Sequence, residues 1–218
     1  ACSHLPPIGS PEKERRRLIS KLRLTKKQIE QLNLFESLLK RWNKTQNLIS
    51  KKQEKKIKEH IQDSLSVHPL LGVNILDLGS GGGFPGIPLA VVSPKKNVFL
   101  VEKNERKAAF LLNCINRLGL SKAIVINKNS EDLLPDSFPR PLEVITRAFG
   151  SPLKAIFASK KLLEEPGASL KMMKTLPFVG AGDIPKSYQI NKNENIETKG
   201  KDKQRIMVTI VHKKKCTR

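Results

Sequence analysis

Cysteine is scarce in this chain, with three residues in 218, at Cys2, Cys114 and Cys216. They are odd in number, far apart and in no CxxC pairing. Neither a disulfide framework nor a zinc site is expected, and the surroundings are read as reducing. Cysteine-nucleophile and metal chemistry are set aside on the same ground. Long apolar runs are missing too, since nothing approaches the roughly 18–20 residues that span a bilayer. No signal-peptide core opens the chain, so a cytoplasmic protein without membrane attachment is expected. Acidic residues are also few: 20 Asp and Glu stand against 41 Lys and Arg, a formal charge of +21. That balance suits a polyanion, because each cation that meets a phosphate releases condensed counterions. A solvated basic surface and a membrane surface are the alternatives, and charge alone says nothing of specificity.

What is present reads as one domain of ordinary size with a small extra lobe. Pro6, Pro7, Gly9 and Pro11 make residues 1–11 a flexible lead, and a helix is expected from near Glu12. Thr25-Lys-Lys-Gln28 fits a capping box. Ile29, Leu32, Phe35, Leu38, Leu39 and Trp42 follow at three-and-four spacing, so a helix runs from Thr25 to about Lys44. Trp42 belongs to its apolar face and is read as a core or lobe contact. "KKQEKKIKEH", residues 51–60, is either a solvated helix face or a ridge that meets phosphates.

From Val73 onward strands and helices alternate. Strands are expected at "VNILDL" (73–78), "NVFLVE" (97–102), "AIVIN" (123–127), "LEVIT" (142–146) and "ASLKMM" (168–173). Helices are expected over Gly86–Val92, Glu105–Leu118, with Asn104 as its cap, and Pro152–Leu163. Such alternation predicts a parallel sheet covered on both faces. "SYQIN" (187–191) and "RIMVTIVH" (205–212) have no helix between them and predict an antiparallel edge, with a mobile polar linker over 191–204. The expected fold is α/β: a Rossmann-like, seven-stranded, mostly parallel sheet with an antiparallel edge. An N-terminal helical lobe spans 12–68, the sheet domain 69–212, and a basic tail 213–218.

The informative stretch is "ILDLGSGGGFPGIPLA", residues 75–90. A phosphate-cradling Walker loop needs Lys and then Ser or Thr after its last glycine, and here Ile87 and Pro88 follow Gly86. A dinucleotide site is formally matched by Gly81-Gly-Gly83-Phe-Pro-Gly86. However, Asp77 just ahead of the glycines would repel a pyrophosphate, which wants bare backbone donors. An acid there suits a cationic ligand. S-adenosylmethionine carries a sulfonium and an ammonium, and Asp77 could meet its amino-acid end directly or through water. Gly79, Gly81 and Gly83 would let the backbone approach the ligand. Glu102, at the end of the next strand, faces the same crevice and could accept both ribose hydroxyls. Ser130 and Glu131 fall where strand three ends, at the expected adenine edge, and Arg147 falls at the mouth of strand four, where chemistry sits in such sheets.

The acceptor is constrained by absences. No Asn/Asp-Pro-Pro-aromatic turn occurs for an exocyclic amine, and no Pro-Cys for carbon-5 of a pyrimidine. A ring nitrogen such as guanine N7 carries no proton and needs only in-line positioning.

"RWNKTQNLIS" (41–50), "HIQDSL" (60–65), the glycine loop and "ITRAF" (145–149) occur in an order and spacing that resemble the bacterial small-subunit rRNA guanine-N7 methyltransferase family, RsmG or GidB. The resemblance covers roughly residues 20–212. It implies S-adenosylmethionine as methyl donor and a guanine in the decoding region of 16S rRNA as acceptor. It implies cofactor contacts at Gly79, Phe84, Ser130, Glu131 and Arg147, with Glu102 on the ribose. Asn43, Asn47, His60 and Asp63 match the family's N-terminal signature and would brace the lobe or touch RNA. One departure concerns strand five: the family's Lys-Gly pair is replaced by "KMMKTLPF", so Lys171 and Lys174 both stand as RNA-facing candidates. The expected protein is a monomeric enzyme acting on the small ribosomal subunit, with no metal. Three other readings stay open: a methyltransferase of small molecules or proteins, an RNA-binding protein with a relic pocket, and a nicotinamide-dependent oxidoreductase.

Overall fold

The structure is a computed structural model that describes residues 22–175, 182, 184–196 and 205–213. The helix expected near Glu12, the lead, the basic tail, Cys2 and Cys216 lie outside the described residues.

Among the described residues, the N-terminal part holds three α-helices. Helix α1 (Lys26–Gln46) begins with the expected capping box: the Thr25 hydroxyl accepts from Gln28 N–H at 3.2 Å, and Gln28 Oε1 accepts from Thr25 N–H at 2.9 Å. It ends at Asn47, whose left-handed backbone (φ 48°) lets its N–H donate to the Asn43 carbonyl. Its apolar spacing buries Leu32, Phe35, Leu38 and Leu39, and Trp42 packs on Phe110 with ring centroids 5.7 Å apart. The basic stretch after it is broken into α2 (Lys51–Glu54) and α3 (Ile57–Ser66). Ile57 and Ile61 are buried, and the lysines before them point outward.

Seven strands follow: β1 (Asn74–Leu78), β2 (Asn97–Val101), β3 (Ala123–Ile126), β4 (Glu143–Arg147), β5 (Ser169–Thr175), β6 (Tyr188–Ile196) and β7 (Arg205–His212). The order across the sheet is β3-β2-β1-β4-β5-β7-β6. The first five pair in parallel; β7 runs antiparallel to both β5 and β6. Between them lie α4 (Gly86–Val92), α5 (Glu105–Leu118), α6 (Pro152–Ala158) and α7 (Lys160–Leu163). The expected helix over 152–163 is thus divided at Ser159, whose hydroxyl bonds the Ala155 carbonyl inside the turn. The expected linker over 191–204 is corrected as well. Its first six residues continue β6, past an irregularity between Ile190 and Lys192, because Glu194 and Ile196 turn inward on the strand period while their neighbours stay exposed.

Alternation along the strands divides the core into two. Ile75, Ile145, Met173 and Met207 face one side and join Phe35, Leu39, Ile57, Ile61, Ile87 and Phe110 of the helices in one cluster. Leu76, Val144, Leu170 and Val208 face the other, against Ile156, Leu162 and Leu163. The N-terminal helices therefore share a hydrophobic core with the sheet.

Among the described glycines, the one with least room for a side chain is Gly86, where α4 leaves the glycine loop. A Cβ added at Gly86 would stand 2.1 Å from Leu100 Cδ2 and 2.6 Å from Asp77 Oδ2. Both neighbours are buried side chains, so room for a methyl has to come from displacing Leu100 and Asp77. Gly86→Ala is expected to lower stability by about 1–3 kcal/mol, the range of core overpacking, as a reduced urea midpoint.

Candidate functional site

The chain runs outward from β1 through β2 to β3, then returns to place β4 on the other side of β1. In an open parallel sheet that reversal leaves a crevice at the carboxyl ends of the strands. The glycine loop stands at this point. Gly79 N–H and Ser80 N–H both donate to the Val101 carbonyl, at 2.9 and 3.0 Å, which ties the loop to the end of β2. Gly79 has φ +76°, and a Cβ there would meet the Phe149 ring at 2.8 Å. Both the backbone turn and the close approach of the aromatic ring require glycine.

Asp77 lies beneath this loop. Its Oδ2 accepts the Gly86 N–H at 3.0 Å, while Oδ1 is buried with no hydrogen-bond partner among the described residues. Burial pushes its carboxyl up to about 7, against the pull of the Gly86 N–H. Asp77 is closed off from the crevice and holds the loop from below.

Glu102 sits immediately past β2. Its two carboxylate oxygens accept from Gly81 N–H and from Asn104 N–H, each at 2.9 Å, and Asn104 in turn caps α5. Glu102 opens onto a cleft of about 830 Å³ whose walls include Gly79, Lys103, Ser130, Glu131, Ala148, Phe149 and Phe157. The structure thus brings together Gly79, Glu102, Ser130 and Glu131, with Gly81 bonded to Glu102. Asp77, Gly83, Phe84 and Arg147 do not line that cleft. A Cβ at Gly83 would meet Ile87 and Phe35 instead of open space.

Arg147 and Phe84 belong to a second cluster, on the α3 side. The register Asp77 to Ile145, carried two residues on, sets Arg147 level with Gly79. The Arg147 guanidinium lies 5.5 Å from the centroid of the Phe84 ring and donates to His60 Nδ1 at 2.5 Å. It also faces Asp63 Oδ2 at 3.6 Å, and Arg205 of β7 reaches the same oxygen at 2.6 Å. Burial lowers the Arg147 pKa, opposed by Asp63. A histidine that accepts from a guanidinium is neutral at that nitrogen.

The remaining candidates separate by burial. Asn43 Oδ1 accepts from Ile49 N–H and its Nδ2 donates to Glu54, both at 2.9 Å, so it clasps the turn between α1 and α2. Asn47 is exposed and ends α1. Lys171 is 8% exposed; its ammonium donates to the Leu70 carbonyl and pairs with Glu143 at 2.9 Å. An RNA contact at Lys171 is therefore corrected: this lysine is committed inside the fold. Lys174 donates to the Gly150 carbonyl at 2.6 Å, at the cleft edge, with its pKa lowered by desolvation. Sequence reasoning missed Phe149, which lay inside the quoted "ITRAF", and Arg205, the first residue of a strand read only for its apolar pattern. Among the described residues there is no group of three or more metal-ligating side chains, and no helix is long and apolar enough to cross a membrane.

A glycine loop after β1, an acid closing β2 and this strand order define a Rossmann-like, S-adenosylmethionine-dependent methyltransferase. A solved methyltransferase of that kind from Aquifex aeolicus superposes with a TM-score of 0.50 at 17% identity, over 72% of this chain and 93% of its own, a likeness of fold. The family model described as rRNA small subunit methyltransferase G, GidB, matches residues 28–208. Proteins named ribosomal RNA small subunit methyltransferase G are similar to the chain over most of both lengths. The one from Marinobacter nauticus is 33% identical, over 87% of this chain and 88% of its own. The one from Neisseria meningitidis serogroup B is 34% identical, over 83% and 87%. The chain belongs to the rRNA small subunit methyltransferase G family.

The Asp77 carboxyl binds its proton more tightly folded than unfolded, where its ordinary value is 3.8. The unfolded chain therefore loses that proton first as pH rises, and stability falls between about pH 4 and 7. Relative to Asp77→Asn, the wild type should lose ground across that window in chemical denaturation series, and the two curves should run parallel above it.

Proposed function

We propose that the protein transfers a methyl group from S-adenosylmethionine to N7 of a guanine in the decoding region of 16S rRNA. The observation that carries this reading is the Glu102 carboxylate, fixed by Gly81 and Asn104 at the wall of a cleft large enough for the nucleoside. Each of its oxygens keeps a lone pair for a ribose hydroxyl. Ser130 and Glu131, across the cleft, would border the adenine. Gly79 and Gly81 would bring the backbone to the amino-acid end, with Gly83 and Asp77 shaping the loop from behind. Phe84 and Arg147, beside the loop, would close the acceptor side, with His60 and Asp63 fixing the guanidinium.

When bound, the cofactor supplies a methyl carbon made electrophilic by its positive sulfur. Held by Gly79, Gly81, Glu102, Ser130 and Glu131, it would offer that carbon to the N7 lone pair, with the carbon–sulfur electron pair leaving on sulfur. No proton moves, so the residues present have only to align the reacting atoms and exclude water. The formal net charge of +21 fits an RNA partner. The working reading is a monomeric cytoplasmic enzyme whose substrate is the small ribosomal subunit or its 16S rRNA.

Glu102→Ala is expected to weaken S-adenosylmethionine binding by about 1–3 kcal/mol, from the lost charge-assisted hydrogen bonds, measured by calorimetry. The function itself is tested with tritiated S-adenosylmethionine and 30S subunits that lack N7-methylguanine in the decoding region. One labelled guanine, mapped by N7-selective cleavage, is the expected result. Tight cofactor binding with no label in RNA would move the acceptor to another class of molecule.

A further inference from the structure

Nearly every aromatic side chain in the described residues is used inside the protein. Phe35, Phe99, Phe110, Phe138 and Tyr188 are buried, and Trp42, Phe84 and Phe149 are half-buried. Phe157 is the exception among them, at 60% exposed. An isolated exposed apolar residue is ordinary on a protein surface. The position of this one is not, because it lies on the wall of the cleft that contains Glu102.

The surroundings of Phe157 are basic. On α6, Pro152, Ala155, Ile156 and Ala158 face the core, which leaves Ser151, Lys154 and Phe157 on the outer side at three-residue spacing. Lys154 also lines the cleft. Lys160 and Lys161 follow in α7, both exposed, and the Lys161 ammonium donates to the carbonyl of Glu131, a cleft residue, at 2.7 Å. An exposed ring between lysines, on the wall of the cleft that contains Glu102, matches the needs of single-stranded nucleic acid. Cations follow the phosphates, and the ring offers its face to an unstacked base.

We propose that Phe157 is a stacking platform for an unpaired base of the RNA substrate, with Lys154, Lys160 and Lys161 on the flanking phosphates. The proposal rests on the reading of the protein as an rRNA methyltransferase and adds to it a place where the strand is gripped beside the reaction. Stacking does not depend on base identity, so the platform supplies hold and not sequence choice.

The test uses the full-length protein with Phe157→Ala, Phe157→Leu and Phe157→Trp. Three quantities are measured for each: KM for 30S subunits lacking the modification at saturating S-adenosylmethionine, Kd for S-adenosylmethionine by equilibrium dialysis, and affinity for 16S rRNA by filter binding. The Ala and Leu variants should raise KM and weaken RNA binding about tenfold, as loss of one base–aromatic stack does. Their S-adenosylmethionine Kd should stay near the wild-type value, and the Trp variant should restore KM. Wild-type behaviour of Phe157→Leu would overturn stacking. A cofactor Kd that weakens in step with KM would place the ring against the adenine of the cofactor and overturn the proposal. If the wild type labels no RNA, the functional reading fails, and filter binding still judges the platform: equal RNA affinity for wild type and Phe157→Ala overturns it.

Discussion

Two backbone N–H groups, those of Gly81 and Asn104, end on one carboxylate, Glu102. Through it the glycine loop, the end of β2 and the first turn of α5 become one rigid piece. Without that anion a loop with three glycines at positive φ would sample many backbone states. With it, the loop is ordered before any ligand arrives, so binding need not supply the ordering. The same carboxylate lines the cleft, so the residue that ties the loop down is also part of the pocket wall.

The sheet separates two kinds of work. On one side of the strand ends lies the cleft of Gly79, Glu102, Ser130 and Glu131, walled by Phe149 and Phe157. On the α3 side lies the charged cluster of His60, Asp63, Arg147 and Arg205, packed on Phe84. Phe84 connects them, since it follows the glycine loop directly and its ring also meets Phe35 of α1 at 5.3 Å and His60 of α3 at 5.5 Å. The N-terminal helices and the guanidinium of Arg147 therefore meet through one ring. A buried ion cluster of this kind specifies an arrangement more than it adds stability, because desolvation offsets most of the attraction.

Much of this was legible in the sequence, for identifiable reasons. Helix α1 announced itself through Thr25, Gln28 and a stripe of leucines, local signals that no tertiary contact overrode. Strands β1 to β5 are short apolar runs between glycine-rich turns, and the alternation with helices left few topologies. Glu102, Ser130 and Glu131 could be placed together from sequence, and they line one cleft, because strand ends in such sheets meet at one place. The failures have one common cause, which is that burial is a property of the assembled sheet. Lys171 and Lys174 are three apart on one strand and look alike in sequence, yet the first faces Glu143 beneath Leu70 and the second reaches the surface. Asp77 reads as a ligand-facing acid, and only the packing of Gly86 shows that it holds the loop from below. Residues 191–196 look like a linker because β6 is an edge strand whose outward positions are all polar.

The placement of β7 between β5 and β6 has a consequence for how the protein comes off the ribosome. Strand β6 pairs with β7 and with no other described strand, so it has nothing to join when it is made. Until residues 205–212 emerge, β5 presents a bare edge and Asp63 faces Arg147 without Arg205. Synthesis delivers β1 through β5 in order, but β6 joins the sheet only through β7, inserted antiparallel between them. Between the completion of β5 at Thr175 and the arrival of β7 at Arg205 the nascent chain carries that open strand edge, the state in which chains most readily pair with the wrong neighbour.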